Sequence, residues 1–481
     1  MKQLLVSRDS LETRVALLEE GRLAELYLER PGLLSLVGNI YKGRVENVLA
    51  GMDAAFVDIG LERNGFIYVD EVTTPEMGAG QSRKITNLLQ GGKELLVQVT
   101  RDAMGGKGPR LTTQLGLAGR LLVYVPQSAT SGVSRRLDDQ ERDRLRSIGR
   151  QLMRDPGGVI IRTAAEGADE EAIARDLRFL QRVWGGVERR AAVSKAPSLV
   201  HTEAELAVRA VRDLLGSEFG SVLVDNEGLY RRLVNYLRAV APELSRRVDL
   251  YEGAGSLFER FGIEGETKKA LARRVGLPSG GYVVFDHTEA LTVIDVNTGR
   301  YVGRRYLEET TLKTNLEACR EIVRQLRLRD IGGIIVIDFI DMNARVNREA
   351  VLAALETELA QDRTKTYVVE ISPLGLVEMT RQNVTLGLRE VMTRPCPACG
   401  GEGRVISEES ALIEVERRLR SLALSSALPG LRIEVHPRVA ARLLSGRGPR
   451  LQELETRTGH HLLVQAADVS VPLDHLAVIP D

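Results

Sequence analysis

The runs Leu291-Thr-Val-Ile-Asp-Val-Asn297 and Gly333-Ile-Ile-Val-Ile-Asp-Phe339 decide how this chain is built. Strand side chains alternate between two faces, so Asp295 and Asn297 share one face of the first run. In the second run an unbroken apolar segment leads to Asp338. A segment apolar on both faces is expected as a central strand buried on both sides, with Asp338 at its end. Apolar runs such as Tyr282–His287 alternate with long amphipathic helices, which predicts an α/β domain of two or three layers from about residue 280. Two carboxylates and an amide oxygen at neighbouring strand ends make a hard oxygen site suited to Mg²⁺, which keeps several of its waters. Such an ion acidifies water and neutralises charge developing on a phosphate under attack. The plainer alternative is that these Asp residues cap turns. Asp341 is expected to cap the following helix, with assistance to the site as the alternative. No histidine is expected near these strands, which argues against imidazole acid–base catalysis.

Working outward, 481 residues suggest roughly three domains. Lys+Arg and Asp+Glu are 66 each, which excludes a diffuse basic coat but not local basic patches. Arg outnumbers Lys 56 to 10. Arg suits bidentate phosphate contacts, codon bias being the competing explanation. A hydrophobic content of 43% excludes a mainly disordered chain. Three cysteines exclude a disulfide scaffold and suggest a reducing compartment. The start, MKQLLVSRDSLETRVALLEEG, lacks the apolar core of a signal peptide, and no run approaches the ~20 apolar residues that span a bilayer. A cytoplasmic protein without a membrane partner is the expectation.

Residues 1–34 alternate apolar and polar, as strands that complete a sheet formed elsewhere. Residues 36–115 read as short strands with Gly-rich turns, a small β-barrel. A mixed stretch follows, with a strand at Gly158–Arg162 and a helix starting near Asp169–Glu171, and helical periodicity dominates 203–250. Gly43-Arg-Val45, Ala55-Phe-Val-Asp-Ile-Gly60 and Gly65-Phe-Ile67 resemble the S1 type of OB-fold barrel, which stacks single-stranded RNA bases on surface aromatics beside basic side chains. Phe56 and Phe66 would be those platforms, unless both are core. Lys107, in Gly105-Gly-Lys-Gly108, lacks the Ser/Thr of a Walker loop and reads as a basic RNA contact.

Pro395-Cys-Pro-Ala-Cys-Gly-Gly401 resembles one half of a zinc knuckle. Tetrahedral Zn²⁺ needs four ligands and the segment offers Cys396 and Cys399. Cys319 lies on the apolar face of Leu316, Val323 and Leu326 and reads as core. Symmetry resolves the shortfall: two chains each donate both cysteines, giving a zinc-linked homodimer. A thioredoxin-like redox pair is the competing reading. The remaining 406–481 read as a small α+β tail that opens with a charged helix.

In order, the barrel, Ile161-Arg-Thr-Ala164, Leu277-Pro-Ser-Gly-Gly281, Glu289–Gly299, Arg324–Met342 and Cys-Pro-Ala-Cys resemble the ribonuclease E/G family across about residues 1–405, and more weakly through the tail. The resemblance implies a multidomain α/β architecture. An RNase H-like subdomain would be split between 1–34 and 206–272. It would hold an inserted S1 domain at 35–115 and a 5′-sensor at 116–205. A DNase I-like catalytic subdomain would follow at 273–390, then a zinc link at 391–405 and a small dimerisation domain at 406–481. Asp295 and Asp338 would bind catalytic Mg²⁺ with Asn297 beside them. Arg162 and Thr163, with Arg135 and Arg136 nearby, would recognise a 5′-monophosphate. Phe56, Phe66 and Lys107 would hold RNA near the cut. The family's activity implies an Mg²⁺-dependent endoribonuclease. It would cut single-stranded, A/U-rich, 5′-monophosphorylated RNA to 5′-phosphate and 3′-hydroxyl ends, in rRNA processing and mRNA decay. Asn297-Thr-Gly299, Leu374–Arg381 and an end at residue 481 resemble the shorter, G-type branch. That branch lacks the disordered C-terminal half that binds membrane and degradosome partners. The implied assembly is a zinc-linked homodimer, with a homotetramer the alternative. The rival reading is a non-catalytic S1 regulator of RNA.

Overall fold

The computed structural model describes all residues except 1, 33, 74–83, 104–106, 129–130, 154–156, 217, 300–306, 373, 383–385, 426–429, 446–447 and 480–481. It divides into two units, 1–392 and 393–481.

Strands β1 (Lys2–Arg8), β2 (Thr13–Glu19) and β3 (Arg22–Glu29) form an antiparallel meander. Leu4 and Leu5, neighbours on opposite faces of β1, are both fully buried, so the meander needs cover on both sides and further strands at its edge. Next come β4 (Ile40–Leu49), β5 (Ala54–Asp58), β6 (Gly65–Tyr68), the short helix α1 (Ile85–Leu88), β7 (Glu94–Arg101) and β8 (Arg110–Thr112). They pair in the closed order β4-β5-β6-β8-β7, with β7 returning to β4, which makes a closed five-stranded barrel consistent with an S1-like domain. Closure requires glycine at position 65, where a Cβ would stand 2.3 Å from Leu111 Cδ1.

Strands β9 (Leu117–Ala118), β10 (Leu122–Val125), β11 (Ser131–Val133) and β12 (Gly158–Ile161) form a sheet in the order β11-β12-β10-β9. Helices α2 (Asp139–Leu152) and α3 (Glu170–Val193) accompany it, started by Asp138 and Asp169, whose carboxylates accept from Glu141 N and Ala172 N. Strand β13 (Ser198–His201) then returns to pair with β4 of the barrel. Helix α4 (Leu206–Leu214), β14 (Phe219–Val224), α5 (Glu227–Val240) and β15 (Val248–Leu250) follow. Helix dominates 203–250, as expected, but the strand β14 was not foreseen. The apolar run Phe219–Val224 is a strand that pairs in parallel with β1, giving a sheet ordered β3-β2-β1-β14-β15. Short apolar runs of this length do not distinguish a buried strand from a helix turn. Helices α4 and α5 cover one face of this sheet; α6 (Leu257–Arg260) and α7 (Ile263–Ala270) contribute to the other.

The second large sheet comprises β16 (Arg274–Gly276), β17 (Tyr282–His287), β18 (Leu291–Asn297), β19 (Gly333–Asp338), β20 (Thr366–Ile371) and β21 (Leu376–Arg381), ordered β16-β17-β18-β19-β21-β20. Helices α8 (Leu307–Arg329) and α9 (Arg345–Leu359) pack Ala318, Ile322, Leu326, Val351 and Leu355 against Phe285, Ile294, Ile335, Ile337 and Val377. β19 is central, as expected, but not covered on both faces: Ile335 and Ile337 are buried while Ile334 is 51% exposed. The domain therefore has two layers. Arg327 of α8 ties it to the first sheet, with Nη2 2.7 Å from Glu25 and 2.9 Å from Glu19. The short α10 (Leu388–Met392) ends this unit.

In the unit 393–481, α11 (Glu408–Ser425), β22 (Gly430–Val435), α12 (Pro437–Leu444), α13 (Pro449–Thr458), β23 (His461–Ala466) and β24 (Leu476–Ile479) share one core. β22 lies between β23, parallel, and β24, antiparallel. Among the described residues no helix is long and apolar enough to cross a membrane.

Candidate functional site

The parallel pairing of β18 with β19 places Asp295 opposite Asp338. Asn297, two residues on and on the same face, donates from Nδ2 to Asp295 Oδ2 at 2.7 Å, which leaves its own carbonyl oxygen available. Among the described residues no cation pairs with either carboxylate. Burial, then Asp295, then Asp341 hold the Asp338 carboxyl above its ordinary range. Asp341 does not cap α9, as had been expected. Glu308 Oε1 accepts from Ala344 N at 2.8 Å and from Asn347 Nδ2 at 3.0 Å, so the cap comes from the neighbouring helix and Asp341 stays with the acidic group. His287 corrects another expectation: it sits on β17 beside β18, 3.2 Å from Thr292 Oγ1. That is three residues, about 10 Å, along β18 from Asp295. Two facing carboxylates and a free amide oxygen fit Mg²⁺, an ion that takes few protein ligands and keeps its water. Among the described residues no group of three or more His, Cys, Asp or Glu is placed to hold a metal ion, so an ion here would rest on two carboxylates.

On the barrel, Phe56 and Phe66 stand directly opposite each other on β5 and β6, edge to face, with centroids 5.4 Å apart. Both are half-buried on the outer face, whereas Ala55, Val57 and Ile67 fill the interior, so the core reading of the two rings falls. The structure adds two residues the sequence reading missed. Tyr68 lies 4.5 Å from Phe66, and the Arg110 guanidinium sits 5.0 Å above the Tyr68 ring. Tyr68 was discoverable, being two positions beyond Phe66 and so on the same face. Lys107 is exposed, while Gly105 and Gly106 of its loop lie outside the described residues.

Parallel pairing of β11 with β12 sets Val133 opposite Ile161. The residues that follow each strand, Ser134–Arg136 and Arg162–Thr163, are thereby brought together from opposite sides of α2. Thr163 Oγ1 is 2.8 Å from Ser134 Oγ. Arg162 Nη1 donates to Gly119 O at 2.6 Å and to Asp213 Oδ1 at 2.7 Å. Arg135 is exposed, and Arg136 Nη1 reaches Asp362 O at 3.4 Å. Ser134 and Asp213 were not foreseen. Asp213 is supplied by α4, far along the chain, and nothing local in the sequence points to it.

In the smaller unit, backbone N–H groups of Ala398 and Cys399, with the Cys399 thiol, hold the Cys396 thiol below its ordinary range. Gly403 N donates to Cys399 Sγ at 3.3 Å. Amides aimed at sulfur favour thiolates, the form zinc binds, so the pair fits half of a tetrahedral site. Cys319 is buried in the core of the larger unit, 3.5 Å from Val351 O, its thiol pushed up to about 12 by burial.

A family model described as "Ribonuclease E/G family" matches residues 116–384, and one described as "RNase E/G, Thioredoxin-like domain" matches 395–478. Ribonuclease G of Escherichia coli (strain K12) is 40% identical over 471 residues, covering 96% of both chains. Ribonuclease G of Haemophilus influenzae is 40% identical over 425 residues, 87% of both chains. Ribonuclease E of the same organism is 37% identical over 485 residues, which cover 99% of this chain and 52% of the relative.

Proposed function

The chain belongs to the ribonuclease E/G family and is an endoribonuclease, and from that premise we propose that it cuts single-stranded, A/U-rich RNA in an Mg²⁺-dependent reaction that leaves 5′-phosphate and 3′-hydroxyl ends. The observation that carries the metal requirement is the register pairing of Asp295 with Asp338, uncompensated by any cation among the described residues. Mg²⁺ bound there supplies acidified water and neutralises charge on the phosphate. The two carboxylates would hold it, and Asn297 fixes Asp295 by donating to one of its oxygens. Phe56, Phe66 and Tyr68 stack bases, which is indifferent to sequence because every base has a π-face. Lys107 and Arg110 meet the phosphates. Arg162, Thr163, Arg135 and Arg136 take a 5′-monophosphate, so RNA carrying that end is preferred.

The sheet order β3-β2-β1-β14-β15 supports an RNase H-like subdomain made from 1–34 and 206–272. The barrel supports an S1 domain at 35–115, and the β9–β12 sheet a 5′-sensor at 116–205. The two-layer sheet supports a DNase I-like catalytic subdomain at 273–390. Cys396 and Cys399 give a zinc link at 391–405 that joins two chains, with 406–481 assisting dimerisation and a tetramer the alternative. Metal analysis should return one zinc per two chains, and Cys396→Ser should yield monomers. Maturation of rRNA precursors and decay of mRNA in the cytoplasm are the matching cellular roles.

The deciding experiment follows cleavage of one short RNA, bearing a 5′-monophosphate or a 5′-hydroxyl, with Mg²⁺ and with EDTA. Cutting that needs Mg²⁺ and is faster on the monophosphate supports both sites. Cutting indifferent to the end removes the sensor. Binding without cutting leaves an S1-type regulator.

A further inference from the structure

The Arg162 guanidinium has two edges. Nη1 is committed to protein, to Gly119 O and Asp213 Oδ1. Nε and Nη2, the fork that grips phosphate through two parallel N–H bonds, have no partner among the described residues. Asp213 is itself doubly held. Arg212 donates from Nη2 to its Oδ2 at 2.9 Å and from Nε to its Oδ1 at 3.2 Å. Glu203 Oε1 secures the far side of Arg212 at 2.6 Å. Burial alone would raise the Asp213 carboxyl, but Arg212 and then Arg162 outweigh it and hold it below the ordinary carboxylate range. The carbonyls of Asp213 and Leu214 accept from Arg363, in the loop before β20, at 3.4 and 3.5 Å. Three modules therefore meet around Asp213, two at its carboxylate and the third at its backbone.

We propose that Asp213 is a positioning residue of the 5′-phosphate pocket: by taking Nη1 it fixes Arg162 so that the Nε/Nη2 fork is presented to the terminal phosphate of the RNA, with the next residue, Thr163, paired to the Ser134 hydroxyl. This rests on the sensor reading above. The physical gain is preorganisation. A free Arg side chain explores many rotamers, and an arginine already held loses less of that freedom on binding.

The test measures kcat and KM for the 5′-monophosphate and 5′-hydroxyl forms of one RNA, in the wild type, Arg162→Gln, Asp213→Asn and the double variant. Asp213→Asn is expected to lower the monophosphate-to-hydroxyl ratio of kcat/KM about tenfold, through KM of the monophosphate form. The double variant is expected to lose no more than Arg162→Gln alone, and Asp213→Glu to keep most of the ratio. Arg162→Lys, which keeps the charge but has no second edge, should lose it as fully as Arg162→Gln; this arm needs no change at Asp213 and stands even if Asp213→Asn does not fold. An unchanged ratio in Asp213→Asn or Arg162→Lys, or losses that multiply in the double variant, overturns the proposal alone. A wild type blind to the 5′ end, or an Arg162→Gln variant with the full ratio, sinks the sensor reading and this proposal together.

Discussion

Strands β19 and β21 join two electrostatic opposites. Where Gly333 pairs with Arg381, the arginine is 4% exposed and its guanidinium is consumed. It holds Asp362 and Asp330 at 2.8 Å each, the Ile331 carbonyl and the Thr364 hydroxyl. Where Asp338 pairs with Leu376, some 17 Å along the same strands, three exposed aspartates, Asp295, Asp338 and Asp341, share one region with no cation among the described residues. The same sheet thus carries charge in two ways. Buried charge matched inside the chain is architecture. Exposed charge left unmatched, at the cost of mutual repulsion, is kept for something that arrives.

The largest effect should come at the acidic end. Asp338→Asn is expected to lower the cleavage rate by about a thousandfold or more while the melting temperature holds; less than a tenfold loss would mean the aspartates are not the reacting site. At the other end Arg381→Met should do the reverse. Stranding Asp362 and Asp330 is expected to cost about 3–5 kcal/mol in urea unfolding, with little change in turnover per folded molecule. A stable Arg381→Met protein would break the contrast. Away from both ends, Phe56→Ala should weaken equilibrium binding of a short RNA by about 1–3 kcal/mol, and an unchanged Kd would return that ring to a packing role. Smallest is the effect of Mg²⁺ without RNA. At ten times its Kd it should stabilise the wild type by about 1.4 kcal/mol, and stabilisation that persists in Asp338→Asn would place the ion elsewhere.

The parts legible in the sequence are those whose partners are close along it or whose side chains share a strand face. Asp295 with Asn297, the barrel with its two Phe, and Cys396 with Cys399 are all of that kind. The β1–β3 meander announced that it needed partners, but nothing in it said that they would be Phe219–Val224. The same blindness hid Asp213, which approaches Arg162 only because the last turn of α4 bonds to the end of β9 and to the residue after β12. It also misassigned Asp341: a cap that Glu308 provides from another helix has no local signature. The apolar run Gly333–Asp338 suggested cover on both faces, whereas hydrophobicity alone does not reveal whether a second layer exists. Ile334 shows that here it does not.

The pairing of Asp295 with Asp338 also makes chain length a constraint on the site. Side chains alternate with period two, so deleting one residue between Gly333 and Asp338 would either turn this aspartate into the Ile335–Ile337 core or shift β19 against both of its neighbours. Substitutions there can be graded; a frame change of one residue cannot. Natural or engineered diversity in this protein should therefore accumulate length variation in its loops while these two strands keep their count, and a homologue with a one-residue gap in either strand should be read as having lost the reaction even if every acidic residue is still present.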